Sequence, residues 1–132
     1  MENQNSGNFN QKFRERTHQM ATRIYEILSN KKGQLLARSP IQQLVRCSTS
    51  VAANIRSATR SRSNAEFYSK ICIVMEECDE TLYWLDFLVE VKVLTPAEVS
   101  MVRSEVEELV KLFSAIKYKM KQKLEAQGRS VK

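Results

Sequence analysis

The stretch TPAEVSMVRSEVEELVKLFSAIKYKMKQKL, residues 95–124, predicts one long amphipathic helix together with its own start signal. Thr95 can cap the free amides of a first turn, Pro96 fits that turn without losing a hydrogen bond, and Glu98 completes a capping box. Apolar residues then recur in steps of three and four, as in the seam of a bundle helix. We predict a helix to about Ala126, with a seam of Val99, Val102, Val106, Leu109, Phe113, Ile116, Met120 and Leu124.

Three further helices are predicted upstream by signals of the same kind. Ser39 followed by Pro40 is a helix start, because the serine oxygen can cap amides and proline fits the first turn. Ser63 and Glu66 form a second S-x-x-E capping box. The predicted ranges are about Phe9 to Asn30, Ser39 to Arg60 and Ser63 to Lys92.

The composition supports an all-α fold of one domain. The chain has 132 residues, enough for a hydrophobic core without disulfides, and only 3 Gly and 2 Pro. Short connections make neighbouring helices antiparallel, so we predict an up-down-up-down four-helix bundle over residues 1–132, with residues 1–8 and 127–132 frayed. No apolar run approaches the roughly 20 residues that span a bilayer, and the start lacks a signal peptide. We therefore expect a cytoplasmic protein without membrane contact.

Charge is segregated along the chain. The formal net charge is +6, and no acidic residue occurs between Ile27 and Ala65. On helix two, Arg46, Arg56 and Arg60 fall on one flank with small residues between them. Such a stripe suits a phosphate backbone, because each guanidinium can grip phosphate oxygens in a forked geometry. The predicted nucleic-acid-binding residues are Arg46, Arg56, Arg60 and Arg62, with Lys31 and Lys32.

An equally weighted alternative is that these arginines pair with the acidic residues of helix three or only keep the protein soluble. Aromatic residues do not alternate with the arginines along helix two, which argues against stacking of bases on this stripe. The remaining face of helix two is small and uncharged, and we expect it to contact another copy of the chain. That predicted oligomer interface consists of Gln43, Cys47, Ser50 and Asn54.

The sequence contains few residues in arrangements that are suited to catalysis. There is one histidine and no glycine-rich phosphate loop, and the three cysteines are predicted to be small buried side chains. Glu15 and His18 form a single E-x-x-H motif, to which Glu76 and Glu80 could add carboxylates, whereas di-iron bundles need two such motifs. We therefore predict a protein that is not an enzyme, with no catalytic residues, no cofactor and no metal.

Three segments of the sequence carry a family resemblance. They are QLVRCSTSVAANI at residues 43–55, SNAEF at 63–67 and ECDETLYWL at 77–85. The chain resembles, over nearly all its length, the bacterial four-helix bundle proteins encoded in intervening sequences of ribosomal RNA genes, also called S23 ribosomal proteins. It departs after Ile55, where many relatives carry an acid and this chain has Arg56. The resemblance implies a four-helix bundle, a homopentamer and no enzymatic activity.

More distantly, the chain is similar to the accessory variability proteins of diversity-generating retroelements, which are basic oligomers that bind a reverse transcriptase and nucleic acid. We expect a non-catalytic oligomeric protein that contacts RNA or DNA backbone through the basic surface of helix two, in a ribosomal-RNA or ribonucleoprotein context. The alternative is a protein-interaction module whose basic stripe binds an acidic partner, for example a reverse transcriptase.

Overall fold

Four helices form the structure, a computed structural model that describes residues 4–31, 35–129 and 131, with side chains from residue 10 onward. Helix α1 spans Gln4–Ser29, and a 3₁₀ turn at Leu35–Ala37 leads into α2, Arg38–Ala58. Helix α3 spans Asn64–Glu90 and α4 spans Pro96–Ala126. Each helix packs on its neighbours in sequence, α2 and α3 most extensively, and α1 and α4 close the bundle with the fewest contacts. The predicted antiparallel four-helix bundle is confirmed.

Side-chain caps start two of the helices as predicted. Thr95 Oγ1 accepts a hydrogen bond from the Glu98 amide at 3.1 Å, and Glu98 Oε1 accepts one from the Thr95 amide at 2.9 Å. Ser63 Oγ accepts from the Glu66 amide at 3.1 Å, but the Glu66 carboxylate reaches back to the amide of Arg62, one residue before the cap. These bonds satisfy amides that a helix start otherwise leaves unpaired.

Two predicted helix starts were wrong. Helix α2 begins at Arg38 and its cap residue Ala37 makes no side-chain bond, because the 3₁₀ turn runs directly into the helix. Pro40 still lies in the first turn, where its missing N–H costs nothing. Helix α1 begins at Gln4, so residues 4–8 are helical although fraying was predicted for them. Extending an existing helix fixes one residue per added hydrogen bond, which costs far less than starting one.

The end of α3 is set by a residue in the left-handed conformation. Lys92 has φ of +66°, and Val93 donates to the carbonyl of Leu88 at 2.9 Å. Lys92 itself donates to the carbonyl of Val89 at 3.0 Å. These two bonds make a Schellman motif, which ends the helix at Glu90, two residues before the predicted end.

Replacing Lys92 by glycine is expected to raise the free energy of unfolding by about 0.5–1 kcal/mol. Glycine adopts positive φ without the steric cost that a Cβ atom brings. Lys92→Ala keeps the Cβ atom and should not stabilise the protein. Urea unfolding of the three proteins measures the difference, and a glycine variant that is less stable than the parent would contradict this account of the turn.

The core runs the length of the bundle along the predicted apolar seams. Val99, Val102, Val106, Leu109, Phe113 and Leu124 of α4 are all buried, and Ile116 and Met120 are partly so. The rings of Phe113 and Phe13 lie 5.1 Å apart between α4 and α1. Cys47 and Cys78 are buried, as predicted, and Cys72 is partly exposed. Burial raises the pKa of the Cys78 thiol to about 12.

Candidate nucleic-acid interface

Three segments meet at one end of the bundle: the start of α1, the turn between α2 and α3, and the end of α4. They line one cleft together, as the alternating helix directions require. We call residues 10–13, 56–73 and 112–129 the basic end. It contains two carboxylates, Glu66 and Glu125, and ten cations: Lys12, Arg56, Arg60, Arg62, Lys70, Lys117, Lys119, Lys121, Lys123 and Arg129.

The arginines of this end are open to solvent. Arg56 and Arg60 are exposed, and neither forms an ion pair with any described residue. Arg62 lies 3.4 Å from Glu66, but its side chain is 88% exposed, so the pair is a weak surface contact. Among the described residues, this is the one ion pair that the ten cations make. Most of their charge is therefore available to an external anion.

Arg46, the fourth predicted arginine, is occupied within the chain. Its guanidinium pairs with Glu77 at 3.1 Å and with Glu80, and its Nε donates to Gln43 Oε1 at 3.0 Å. The alternative that helix-two arginines pair with helix-three carboxylates is thus confirmed for Arg46. It does not apply to Arg56 and Arg60.

The predicted lysines lie elsewhere. Lys31 follows α1 at the opposite end of the bundle, where its Nζ is 3.1 Å from Glu98 Oε2. The 21 residues of α2 put roughly 30 Å between that end and the basic end. Lys32 lies outside the described residues. The structure therefore does not bring Lys31 together with Arg56, Arg60 and Arg62.

Sequence reasoning missed the lysines at the end of α4 as binding candidates. The last turns of α4 contain Lys117, Lys119, Lys121 and Lys123, where cations also stabilise a helix C-terminus. Lys119 and Lys123 line the same cleft as Arg62. The signal that could have found them is topological, because an antiparallel bundle places the end of helix four beside the turn between helices two and three.

Six of the twelve described carboxylates outside the basic end pair with arginines. Arg16 forms a two-bond contact with Glu105, at 2.7 and 3.0 Å, between α1 and α4. Arg103 binds Asp86 in the same manner at 2.7 and 2.9 Å, and this holds the pKa of Asp86 below its usual value. Outside the basic end the described residues carry twelve carboxylates and nine cations, so the excess of positive charge is concentrated at the basic end.

The sequence profile of the family described as 23S rRNA-intervening sequence protein matches residues 10–115. The chain belongs to this family. A crystal structure of a protein of unknown function from the S23 ribosomal protein family of Bacteroides thetaiotaomicron is similar to this intervening-sequence protein. It shows 30% identity and a TM-score of 0.71, over 80% of this chain and 97% of that one. Among curated proteins, none matches the chain.

The family match ends at residue 115. The intervening-sequence protein continues its last helix to Ala126, and the four lysines of that extension, from Lys117 to Lys123, lie beyond the matched residues. The arginines at the end of α2 lie within them. The basic end thus combines a part inside the family match with a part beyond it.

The predicted oligomer interface on α2 needs a correction. Cys47 has no exposed surface, and Thr81 Oγ1 donates to its sulfur at 3.3 Å, so it belongs to the core and cannot meet another chain. Gln43, Ser50 and Asn54 are half-exposed, and Asn54 Nδ2 donates to the Ser50 carbonyl at 2.9 Å. The prediction for Cys47 was wrong because the face of α2 that packs on α3 includes this residue, which contacts Thr81 there.

An apolar surface lies on the outer side of α3 instead. Tyr83 is 56% exposed, and its ring contacts Trp84 at a centroid distance of 4.9 Å. Trp84 also contacts Phe87, at 5.5 Å, and its buried Nε1 has no hydrogen-bond partner within the described part of the chain. Ile73 and Val91 extend this exposed face along the helix. A helix that is apolar on several sides is typical of an element buried in a larger assembly.

The enzyme-like motif is not assembled into a site. Glu15 and His18 are both exposed on α1, and Glu80 is paired with Arg46 on the far side of the bundle core. The described residues contain no group of three metal-ligating side chains. None of the described helices is both long enough and apolar enough to cross a membrane.

Proposed function

We propose that this intervening-sequence protein is a non-catalytic binding protein that contacts the backbone of RNA or DNA through its basic end. The observation that carries this proposal is the set of ten cations against two carboxylates, with one weak ion pair among them. Because the cations of the basic end form almost no ion pairs within the described part of the chain, a polyanion that approaches it is attracted by nearly their full charge. Binding also releases counterions from the polyanion, which favours association independently of sequence.

The proposed surface differs from a stripe along helix two. Arg56, Arg60 and Arg62 remain part of it, the lysines of α4 join it, and Arg46 and Lys31 contribute through their own ion pairs to the fold. Guanidinium groups suit phosphate because they donate two parallel hydrogen bonds, and lysines act as flexible point charges around them. The names of the family and of the S23 relative refer to ribosomal RNA and to ribosomal proteins, and we propose a ribosomal-RNA or ribonucleoprotein context for this chain.

The competing function is binding of an acidic protein, such as a reverse transcriptase, by the same cations. Pull-down with the tagged protein from a lysate, with and without nuclease, separates the two. Our proposal predicts that RNA or DNA is recovered from the untreated lysate and that the co-purifying proteins disappear after digestion. Retention of one stoichiometric acidic protein after complete digestion, with no nucleic acid in the untreated sample, would contradict it.

We infer that the protein is a homo-oligomer assembled through the outer face of α3. Support comes from the exposed aromatic surface around Tyr83. The resemblance to the S23 family points to a pentamer, and five chains of 15.3 kDa have a mass of about 77 kDa. Several basic ends in one particle would also raise the avidity for a long polyanion.

Tyr83→Glu is expected to dissociate this oligomer to a monomer of 15.3 kDa, because it places a charge in an apolar interface. Size-exclusion chromatography with light scattering gives the mass. Tyr25→Glu is the matched control, since Tyr25 is a tyrosine of similar exposure, 62%, on α1. An oligomer that is lost with Tyr25→Glu and kept with Tyr83→Glu would overturn the assignment, as would a monomeric parent protein.

A further inference from the structure

The cleft at the basic end has an apolar wall as well as cations. Its volume is about 1050 Å³, and it opens between the start of α1, the α2–α3 turn and the end of α4. Phe67, Ile116 and Met120 line it and are each only partly buried by the fold. The two helices beside it, α1 and α4, are the neighbours with the fewest contacts in the bundle. The cleft is thus a concave site with an apolar wall and not a flat charged surface.

Cations and hydrogen-bonding groups stand around this apolar wall. Arg62 lies on the side of the α2–α3 turn, and Lys119 and Lys123 lie on the side of α4. Asn64 adds an amide, and Ser61 also contributes to the lining. A ligand that fits would be apolar at its centre, anionic at both sides, and able to hydrogen-bond to an amide.

An unpaired nucleotide has this chemistry. Its base offers an apolar face and polar edges, and it is flanked by a phosphate on either side. In a duplex the bases are stacked inside, so only the phosphates could reach the cleft. Aromatic residues do not alternate with the arginines along helix two, which predicted no stacking surface there, but Phe67 of α3 lines the same cleft as Arg62.

We propose that the cleft binds an unpaired nucleotide, so that the protein prefers nucleic acid with a single-stranded or bulged segment over a continuous duplex. This inference rests on the proposed function of the basic end and adds the class of nucleic acid to it. The charge arrangement favours nucleic acid over an acidic peptide, because a base between two phosphates matches an apolar wall between two cationic sides.

The test compares two labelled RNA hairpins of equal length, one fully paired and one with a three-nucleotide bulge, by fluorescence anisotropy. The parent protein should bind the bulged hairpin about tenfold more tightly, as expected for one or two stacked bases. A 2-aminopurine placed in the bulge should change its fluorescence on binding, and one placed in the paired stem should not. These readouts respond to the base and not to the total charge.

Ala115→Leu narrows the cleft without changing charge, and Ala115 is exposed, so the variant should fold. We expect it to reduce the preference for the bulge, measured as the ratio of the two affinities, to less than threefold. Ala97→Leu, at an exposed alanine near the other end of α4, is the control that keeps the preference.

Equal binding of both hairpins by the parent protein would overturn this inference and leave the proposed function standing. Absence of binding to either hairpin at low salt would overturn both. A competition experiment separates a protein ligand from a nucleotide. If an acidic amphipathic peptide displaces the labelled bulged hairpin at a lower concentration than unlabelled bulged RNA does, the cleft binds a protein ligand and the inference is overturned.

Discussion

Reversing three charges at the basic end is expected to lower the affinity for hairpin RNA by roughly a hundredfold or more near 100 mM salt. The triple variant carries Arg56→Glu, Arg60→Glu and Lys123→Glu. Each substitution removes a cation that makes no ion pair with a described residue and adds a charge that repels phosphate. The loss should be the same for hairpins of unrelated sequence, because backbone contacts carry no sequence information. Fluorescence anisotropy of labelled hairpins measures it.

A second triple variant controls for net charge. Arg23→Glu, Arg38→Glu and Lys92→Glu reverse three exposed cations outside the basic end, so both proteins have the same formal charge. We expect this control to lose less than about fivefold in affinity, through the weaker long-range field alone. Equal losses of affinity in the two triple variants would show that total charge governs binding. An unchanged affinity in the variant with the three reversals at the basic end would exclude that end as the binding surface. Circular dichroism checks that both remain helical.

Phe113→Ala is expected to lower the free energy of unfolding by about 3–5 kcal/mol. Phe113 is the largest side chain that the fold buries completely, and its ring contacts Phe13 at 5.1 Å. Truncation removes this buried apolar surface and leaves a cavity that rigid neighbouring helices cannot fill. We expect the melting temperature to fall by ten degrees or more.

Tyr118→Ala is the matched control for this change. Tyr118 is also an aromatic residue of α4, five residues further on, but it is 63% exposed. Its removal should change the stability by no more than about 0.5 kcal/mol. Urea unfolding at one protein concentration measures both variants, because assembly would make stability depend on concentration. Similar losses in the two would contradict the assignment of Phe113 to the centre of the core.

Local signals were sufficient to predict most of the fold. The start of α4 at Pro96 and its end at Ala126 agree with the prediction, since the Thr95 capping box and the apolar spacing both act within a few residues. The predicted start of α2 was wrong because serine followed by proline is compatible with two positions, the cap and the first turn of a helix. The 3₁₀ turn that decides between them has no side-chain signal of its own.

The site could be predicted only in part. The exposure of Arg56 and Arg60 follows from their flank of helix two, but the pairing of Arg46 depends on how α2 is aligned against α3. The lysines of α4 join the arginines only through contacts between helices distant in sequence. Such contacts are set by tertiary packing, which a periodic pattern does not specify.

Binding to a nucleic-acid backbone is tested most directly by a salt series. The affinity of the parent protein for structured RNA and for duplex DNA should be measured by anisotropy between about 50 and 300 mM salt. We predict a linear fall of log affinity with log salt, with a slope that corresponds to at least four neutralised phosphates. Absence of binding at the lowest salt, or an affinity that does not change with salt, would contradict the proposed function and favour an acidic protein as the partner.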